Sequence, residues 1–570
     1  MHDRRAVQVV TDVAALARAF DYEVTESTKQ VGIGDRVRVN LNNRSVRGWV
    51  VGEGSLEGDL KPLSKWLGYG PPASLLGLLA WASERWCAPL SRFLIAASPS
   101  RVVSDLPVAP EPVALTGSNQ SEELTYEPGV WQLAPTTDPL ALILGAYELC
   151  RERPGSLLVL VPTESWARRL RGRLEQRGCA VASGDHEWDR SRAGWPVIVG
   201  SRGTALAPTA LISGAVIIDA DDEAYRSEST PTWDAITMLR ERCFRDSAPL
   251  WATTIFPSPL LLDDKPIQIE SDVASGWPAL TVVDRRQGDP HDGILTREAV
   301  EAAHQALAGD EPVAVVVILQ RLGTGRLFAC AKCGELACCS SCGQAEEEVG
   351  DKIACAQRHE ERPKFCQHCG ATNLKRVRVG VTTLARDVSL QLSQAVSEVS
   401  ATTDPQIALE RVVVGTEAVW QRVRRSTVVI FVDFDQYLLA PRDSARRAAV
   451  TAVGKAGRLV GARREARGVV VLQTRRGEDP VVRALAAGTF GDLVEADLAE
   501  AKLLGLAPYG ARCEISGEAA GDFVAALTSP DCQISATPTG YVVRARDVAT
   551  LTSALHAVPR PAGRLRLAVE

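Results

Sequence analysis

The chain is 570 residues long, with 45% apolar, 24% charged and 5% aromatic side chains and a net charge of −6. That composition excludes a disordered or fibrous protein and allows roughly three to five globular domains. The acidic balance excludes a uniformly basic nucleic-acid coat, so any nucleic-acid surface must be a local patch.

Residues 1–104 read as a β-rich module: 36–40 (RVRVN) and 46–51 (VRGWVV) have strand character and are separated by the turn-forming Asn42 and Asn43. The apolar stretch 6–10 is too short for a signal peptide, and no uncharged apolar run of about 18 residues offers a membrane span, which predicts a cytoplasmic chain with no membrane partner. Residues 71–98 are periodic and helical, entered through Pro71 and Pro72. Residues 105–130, rich in Pro, Ser and Glu, read as a linker. Residues 131–270 alternate apolar strands (156–161, 196–200, 215–219) with amphipathic helices such as 164–177, the pattern of a buried parallel sheet. Residues 280–505 repeat it through strands at 313–319, 411–414, 428–432 and 468–473. A cysteine-rich segment, 327–375, interrupts this second unit, and 506–570 read as a small α+β domain.

Eight of the 14 cysteines fall within forty residues: Cys330, Cys333, Cys338, Cys339, Cys342, Cys355, Cys366 and Cys369. A cytoplasmic chain rarely keeps structural disulfides. A CxxC turn aims two thiolates at one metal, and two such turns complete a tetrahedral Zn²⁺ site. The cluster therefore predicts two Zn²⁺ in closed, structural sites. Cys355 has Arg358 where a CxxC partner would stand, and His359 follows in a C-x3-H spacing; Cys338 competes with His359 as the fourth ligand of the second site.

The order of parts resembles the PriA family, the primosomal replication-restart helicases. The resemblance is carried by Phe20-Asp21-Tyr22, 34–39 (GDRVRV), 60–62 (LKP), 86–90 (WCAPL), the C-x2-C-x5-C-x2-C run 330–342, 453–458 (VGKAGR) with 468–474 (GVVVLQT), and 501–509 (AKLLGLAPY). It implies a multidomain α/β fold: a β-rich N-terminal DNA-binding domain, two RecA-like helicase lobes with a zinc-binding insertion in the second, and a small α+β C-terminal domain. It also implies the pairing Cys330, Cys333, Cys366 and Cys369 for one zinc site, leaving Cys339, Cys342 and Cys355 with His359 for the other. The family usually carries a winged helix between the first domain and the motor; 105–130 is too short for one.

The motor motifs depart from this family. A Walker A loop needs glycines to expose backbone N–H groups, a Lys to neutralise phosphate and a hydroxyl to hold Mg²⁺. The corresponding turn, 133–140 (LAPTTDPL), has no Gly and no Lys, and Pro139 removes a donor. The family's D-E-E-H acids are replaced by 218–223 (IDADDE), with Asp219 at the strand end, which reads as a solvated acidic loop. Arg458 keeps the position of an arginine finger, but without a cradle it has no phosphate to act on. The sequence thus predicts no ATP hydrolysis and no helicase action, and leaves open whether ATP–Mg²⁺ binds.

Lys and Arg outnumber Asp and Glu by 11 to 4 in 421–468, by 7 to 4 in 29–66 and by 6 to 2 in 358–378, which predicts a composite DNA groove. The resemblance assigns Phe20, Asp21 and Lys61 to a pocket for a DNA 3′ end. A ring stacks a base, a carboxylate accepts from a free 3′-hydroxyl, and a lysine holds the adjacent phosphate. Three functions compete. The first is a restart protein that binds branched or forked DNA and helps other primosome proteins reload the replisome without unwinding. The second is an active ATP-dependent 3′→5′ helicase with a divergent nucleotide site. The third is a zinc-ribbon regulator on a dead motor fold.

Overall fold

The computed structural model describes all residues except 1–3, 14–17, 116–125, 263–266, 288–292, 321–327, 356–358, 377–380, 401, 405 and 441. Parts of the expected linker and of the zinc segment, together with Arg358 and Arg378, lie outside the described residues.

The N-terminal module is a six-stranded sheet built from β1 (Arg5–Thr11), β2 (Phe20–Val24), β3 (Arg36–Leu41), β4 (Arg44–Glu53), β5 (Lys61–Pro62) and β6 (Lys65–Trp66), in the order β5-β2-β1-β4-β3-β6. The β3–β4 hairpin pairs Leu41 with Arg44 across a two-residue turn. Asn42 and Asn43 both adopt positive φ there, 47° and 63°, as that turn demands. Its inner face buries Val7, Val9, Tyr22, Val37, Val39 and Val50. The helical stretch expected at 71–98 is two helices, α1 (Ala73–Arg85) and α2 (Leu90–Ala96). The break falls at Cys87, whose φ is +46°, just before Pro89.

The first α/β lobe begins at Gly129, two residues before the expected boundary. Its strands are β7 (Gly129–Gln132), β8 (Ser156–Leu160), β9 (Val181–Ser183), β10 (Val197–Gly200), β11 (Ile212–Ile217), β12 (Leu250–Thr254) and β13 (Gln268–Ile269). They form one sheet in the order β13-β7-β12-β11-β8-β10-β9, parallel throughout. Two of its helices matter below: α3 (Leu140–Cys150), and α4 (Glu164–Glu175), which is capped by Thr163 and buries Ala167, Leu170 and Leu174.

The second lobe is a six-stranded parallel sheet ordered Ala279–Asp284, Val469–Thr474, Val428–Phe431, Val315–Ile318, Val412–Gly415, Val396–Val399. Strands buried on both faces explain the unbroken valine runs in this part of the sequence. Both lobes are parallel α/β units, as expected, with the cysteine segment inserted in the second. That segment contributes a strand pair, Phe328–Cys330 with Leu374–Arg376, and a three-stranded sheet of Glu346–Val349, Lys352–Cys355 and Arg362–Pro363. The C-terminal domain is a four-stranded antiparallel sheet with the helices Ala520–Ala525 and Val548–His556.

Two shared cores join these parts. One contains Leu79, Trp86 and Phe93 of the first module, Leu158 and Ile217 of the first lobe, and Cys513, Phe523 and Leu551 of the C-terminal domain. The other draws Ile255 and Phe256 of the first lobe into the core of the second, where the Phe256 and Phe490 rings meet edge to face at 6.0 Å. Burial of this kind, at about 25 cal/mol per Å² of apolar surface, ties the lobes to one another. Among the described residues no helix is long and apolar enough to cross a membrane.

Candidate metal centres, strand-end pocket and interlobe cleft

Cys330, Cys333, Cys366 and Cys369 come together, as do Cys339, Cys342, Cys355 and His359; within each group all donor atoms lie within 4.8 Å of one another. The spacing fits a tetrahedral ion: metal–sulfur bonds of ~2.3 Å imply S···S edges of about 3.8 Å. Cys330 and Cys369 sulfurs are 3.5 Å apart and Cys333 and Cys366 sulfurs 3.6 Å, far beyond the ~2.05 Å of a disulfide. His359 Nδ1 lies 3.8 Å from the Cys339 sulfur and 3.6 Å from that of Cys355. Both donor sets could hold zinc. Cys338 belongs to neither group and packs instead with Ala329, Leu336 and Leu439.

The knuckles form for a local reason. Each CxxC is followed by a glycine at positive φ: Gly334, Gly343 and Gly370. Each glycine N–H donates to the carbonyl of the first cysteine of its pair, Cys330, Cys339 and Cys366, at 2.8 to 2.9 Å. The turn folds both thiols to one side at little steric cost. The buried ion pair Arg362–Glu346, with Nε to Oε1 at 2.9 Å, braces the insertion.

In the N-terminal module, β2 carries Phe20 and Asp21, and its neighbour β5 places Lys61 opposite Tyr22. The three residues thus lie at one edge of the sheet. Alternation turns the Phe20 ring and the Asp21 carboxylate to opposite faces. Phe20 is half-buried against the inner core, with the Arg18 guanidinium 4.8 Å above its ring. Asp21 Oδ1 is buried and has no hydrogen-bond partner among the described residues. Gly54 makes room for it, because a Cβ there would sit 2.8 Å from that oxygen. Sequence reasoning missed Gly54; its only signal was a glycine closing a β-branched run.

Polar and charged groups pair within and across the interlobe cleft. On the first-lobe side, the Ala134 N–H donates to Glu270 Oε2 at 2.9 Å, and the Thr137 hydroxyl donates to both Glu270 oxygens at 2.9 and 2.7 Å. Thr136 donates to the Gly276 carbonyl at 2.7 Å. The Glu270 carboxylate thus takes the donors that a Walker loop would offer to phosphate. Asp138 is paired with Arg173 of α4; burial raises its carboxyl, but the Arg173 hydrogen bonds outweigh that and hold it below the usual range.

Across the cleft, the helix Ala445–Val460 presents Lys455 and Arg458 on one face, three residues apart. Arg458 makes a bidentate pair with Asp219 at 2.5 and 2.8 Å, donates through Nε to the Pro135 carbonyl at 2.9 Å, and lies 5.1 Å over the Trp166 ring. Lys455 pairs with Asp222 at 2.7 Å, and Arg442 with Glu223 at 2.5 Å. Burial pushes the Asp222 carboxyl up, but the Lys455 charge and hydrogen bond outweigh it and hold the group low. Gly454 permits the close approach: a Cβ there would lie 3.0 Å from Ile255 and 3.3 Å from Pro135.

The acids at 219–222 are not a solvated loop: Asp219 and Asp222 are only 6% and 8% exposed, and Asp221 accepts from Thr254 Oγ1 and Ser258 N at 2.9 and 3.0 Å. Nor is 421–468 a free basic face. Beyond Lys455, Arg458 and Arg442, Arg446 and Arg447 pair with Asp497, Arg425 with Glu311, Arg464 with Asp272 and Arg467 with Glu465. Most of the cations in this segment are therefore offset by ion pairs spread over the chain.

Residues 8–99 match the model of the PriA 3′DNA-binding domain. The replication restart protein PriA of Thermotoga maritima is 22% identical over 422 residues, covering 65% of this chain and 54% of that protein. The chain is thus similar to the PriA family over its N-terminal module and, at lower identity, over much of its length. It spans about half the length of the curated relative that it matches. Among solved structures, a DEAD box protein from the hyperthermophile Methanococcus jannaschii aligns with a TM-score of 0.27 at 13% identity, over 63% of this chain and 85% of the other. Saccharomyces cerevisiae Dbp5 bound to RNA and ADP BeF3 aligns with a TM-score of 0.36 at 12% identity, over 67% and 91%.

Proposed function

We propose that this chain is a PriA-like replication-restart protein that seats the 3′ end of a strand at branched or forked DNA, and that it helps other primosome proteins reload the replisome without unwinding DNA. The observation that carries the second half is the Glu270 carboxylate in the loop where phosphate would bind. An anion already held by the loop's N–H and hydroxyl repels a second one, and no lysine lies between Lys65 and Lys265 to offset it. Phosphoryl transfer rests on positioning and charge neutralisation, and this loop offers neither.

The first half is supported by the family match over 8–99 and by Asp21. A buried carboxylate oxygen without a donor is costly, and a ligand hydroxyl removes that cost. A free 3′-hydroxyl supplies such a donor, whereas an internal phosphodiester does not. In this reading two Zn²⁺ ions, held by Cys330, Cys333, Cys366 and Cys369 and by Cys339, Cys342, Cys355 and His359, are structural. The shared cores hold the pocket at a fixed position relative to both lobes. The test is binding of the full chain to forked DNA carrying a free or a phosphorylated 3′ end. The free end binds more tightly, and Asp21→Asn, whose amide can donate to phosphate where the carboxylate repels it, narrows the difference; equal affinity for the two ends in the unaltered protein contradicts the reading.

A further inference from the structure

The N-terminal module has a second charged feature, distinct from the Phe20, Asp21 and Lys61 edge. In the β3–β4 ladder Arg38 stands directly opposite Arg47, and in the β3–β6 ladder Arg38 stands opposite Lys65. Three cations therefore form a row across three adjacent strands on one face. Like charges directly opposite on neighbouring strands oppose pairing. Arg47 is relieved by Asp12 at 3.1 Å, but among the described residues the side chains of Arg38 and Lys65 make no ion pair or hydrogen bond, and both are exposed. Arg36, next along β3 on the same face, is turned away to donate to the carbonyls of Pro99 and Arg101, both at 2.9 Å.

Edge protection accounts for part of this. β6 ends the sheet, and a lysine on an edge strand discourages pairing with another chain. It does not account for Arg38, because β3 is flanked on both sides. By strand alternation the row shares its face with Asp21, since Asp21 is opposite Gln8, Trp49 is opposite Val10, and Arg47 is two residues from Trp49. Along the sheet β2 and β3 are three strand spacings apart, about 14 Å at ~4.8 Å each. Duplex DNA carries one negative charge per ~1.7 Å of axis, so a duplex arm beside the seated end presents several phosphates over that span.

We propose that Arg38, Arg47 and Lys65 hold the phosphodiester backbone of double-stranded DNA beside the strand end. The proposal rests on the reading that this module seats a DNA end. Its test is the salt dependence of full-chain binding to forked DNA. Each lost phosphate contact lowers the slope of log affinity against log salt by about 0.9. Arg38→Gln with Lys65→Gln should therefore lower the slope by about 1.8, while preference for a free over a phosphorylated 3′ end persists. Arg38→Lys with Lys65→Arg, which keeps the charges, should keep the slope. An unchanged slope in the glutamine variant overturns the proposal, as does an equal fall in the charge-preserving one. Failure of the strand-end reading is seen separately, as loss of 3′-end preference in the unaltered protein with the slope effect intact.

Discussion

Arg458 and Asp219, 239 residues apart and on different lobes, form a bidentate ion pair across the cleft at 2.5 and 2.8 Å. With Asp219 only 6% exposed, removing its partner leaves a buried charge uncompensated. Arg458→Ala should cost about 3 kcal/mol at the interface. Hydrogen exchange across 133–140 and 453–458 should then accelerate roughly a hundredfold, while exchange in the C-terminal sheet stays as it was. Adding Asp219→Asn should recover part of the loss, since it removes the stranded charge.

The metal prediction concerns ligand identity. Freshly purified protein should carry two zinc ions, His359→Ala should retain one, and Cys338→Ala should retain both. Because a closed zinc site contributes folding energy, strong chelation should unfold the insertion while both lobes keep their helical signal. One ion or none in the unaltered protein contradicts this assignment.

A pH effect follows from Asp433. Burial, followed by repulsion from Asp435, pushes its carboxyl up to about 7, while Arg475 is shared with Asp435 at 3.6 and 3.4 Å. In the unfolded chain the group titrates near ~3.9, so between about pH 4 and pH 7 the folded state holds the extra proton. Stability of the second lobe should therefore fall as pH rises through that window and level off above it. Asp433→Asn mimics the protonated form and should flatten the slope, leaving the variant more stable than the parent at pH 8. Parallel denaturation midpoints at pH 5 and pH 8 for the two proteins would contradict it.

What could be read in the sequence depended on range. The parallel lobes were legible because doubly buried strands need unbroken valine and isoleucine, as at Val428–Phe431 and Val315–Ile318. The metal groups were legible because spacing within each knuckle is local, although the choice of His359 over Cys338 needed three dimensions. The fate of charge was not. Glu270 reaches Thr137 and Lys455 reaches Asp222 across more than a hundred residues, and nothing local marks either pair. For the same reason 421–468 read as a DNA surface from its net charge, and 219–222 read as solvated from its polarity. The break at Cys87 was hidden because the apolar period runs on through it. The two-residue strands β5 and β6, which place Lys61 and Lys65, are too short to have any period.

The proposed function requires that the two α/β lobes do not hydrolyse ATP. Its most direct test is ATP hydrolysis by the full-length, zinc-loaded chain with Mg²⁺, in the presence and absence of forked DNA. The account predicts no DNA-stimulated turnover and no strand displacement, with forked DNA still bound. Turnover of about 1 s⁻¹ or faster, the usual low end for enzymes, that disappears in Arg458→Ala would contradict it.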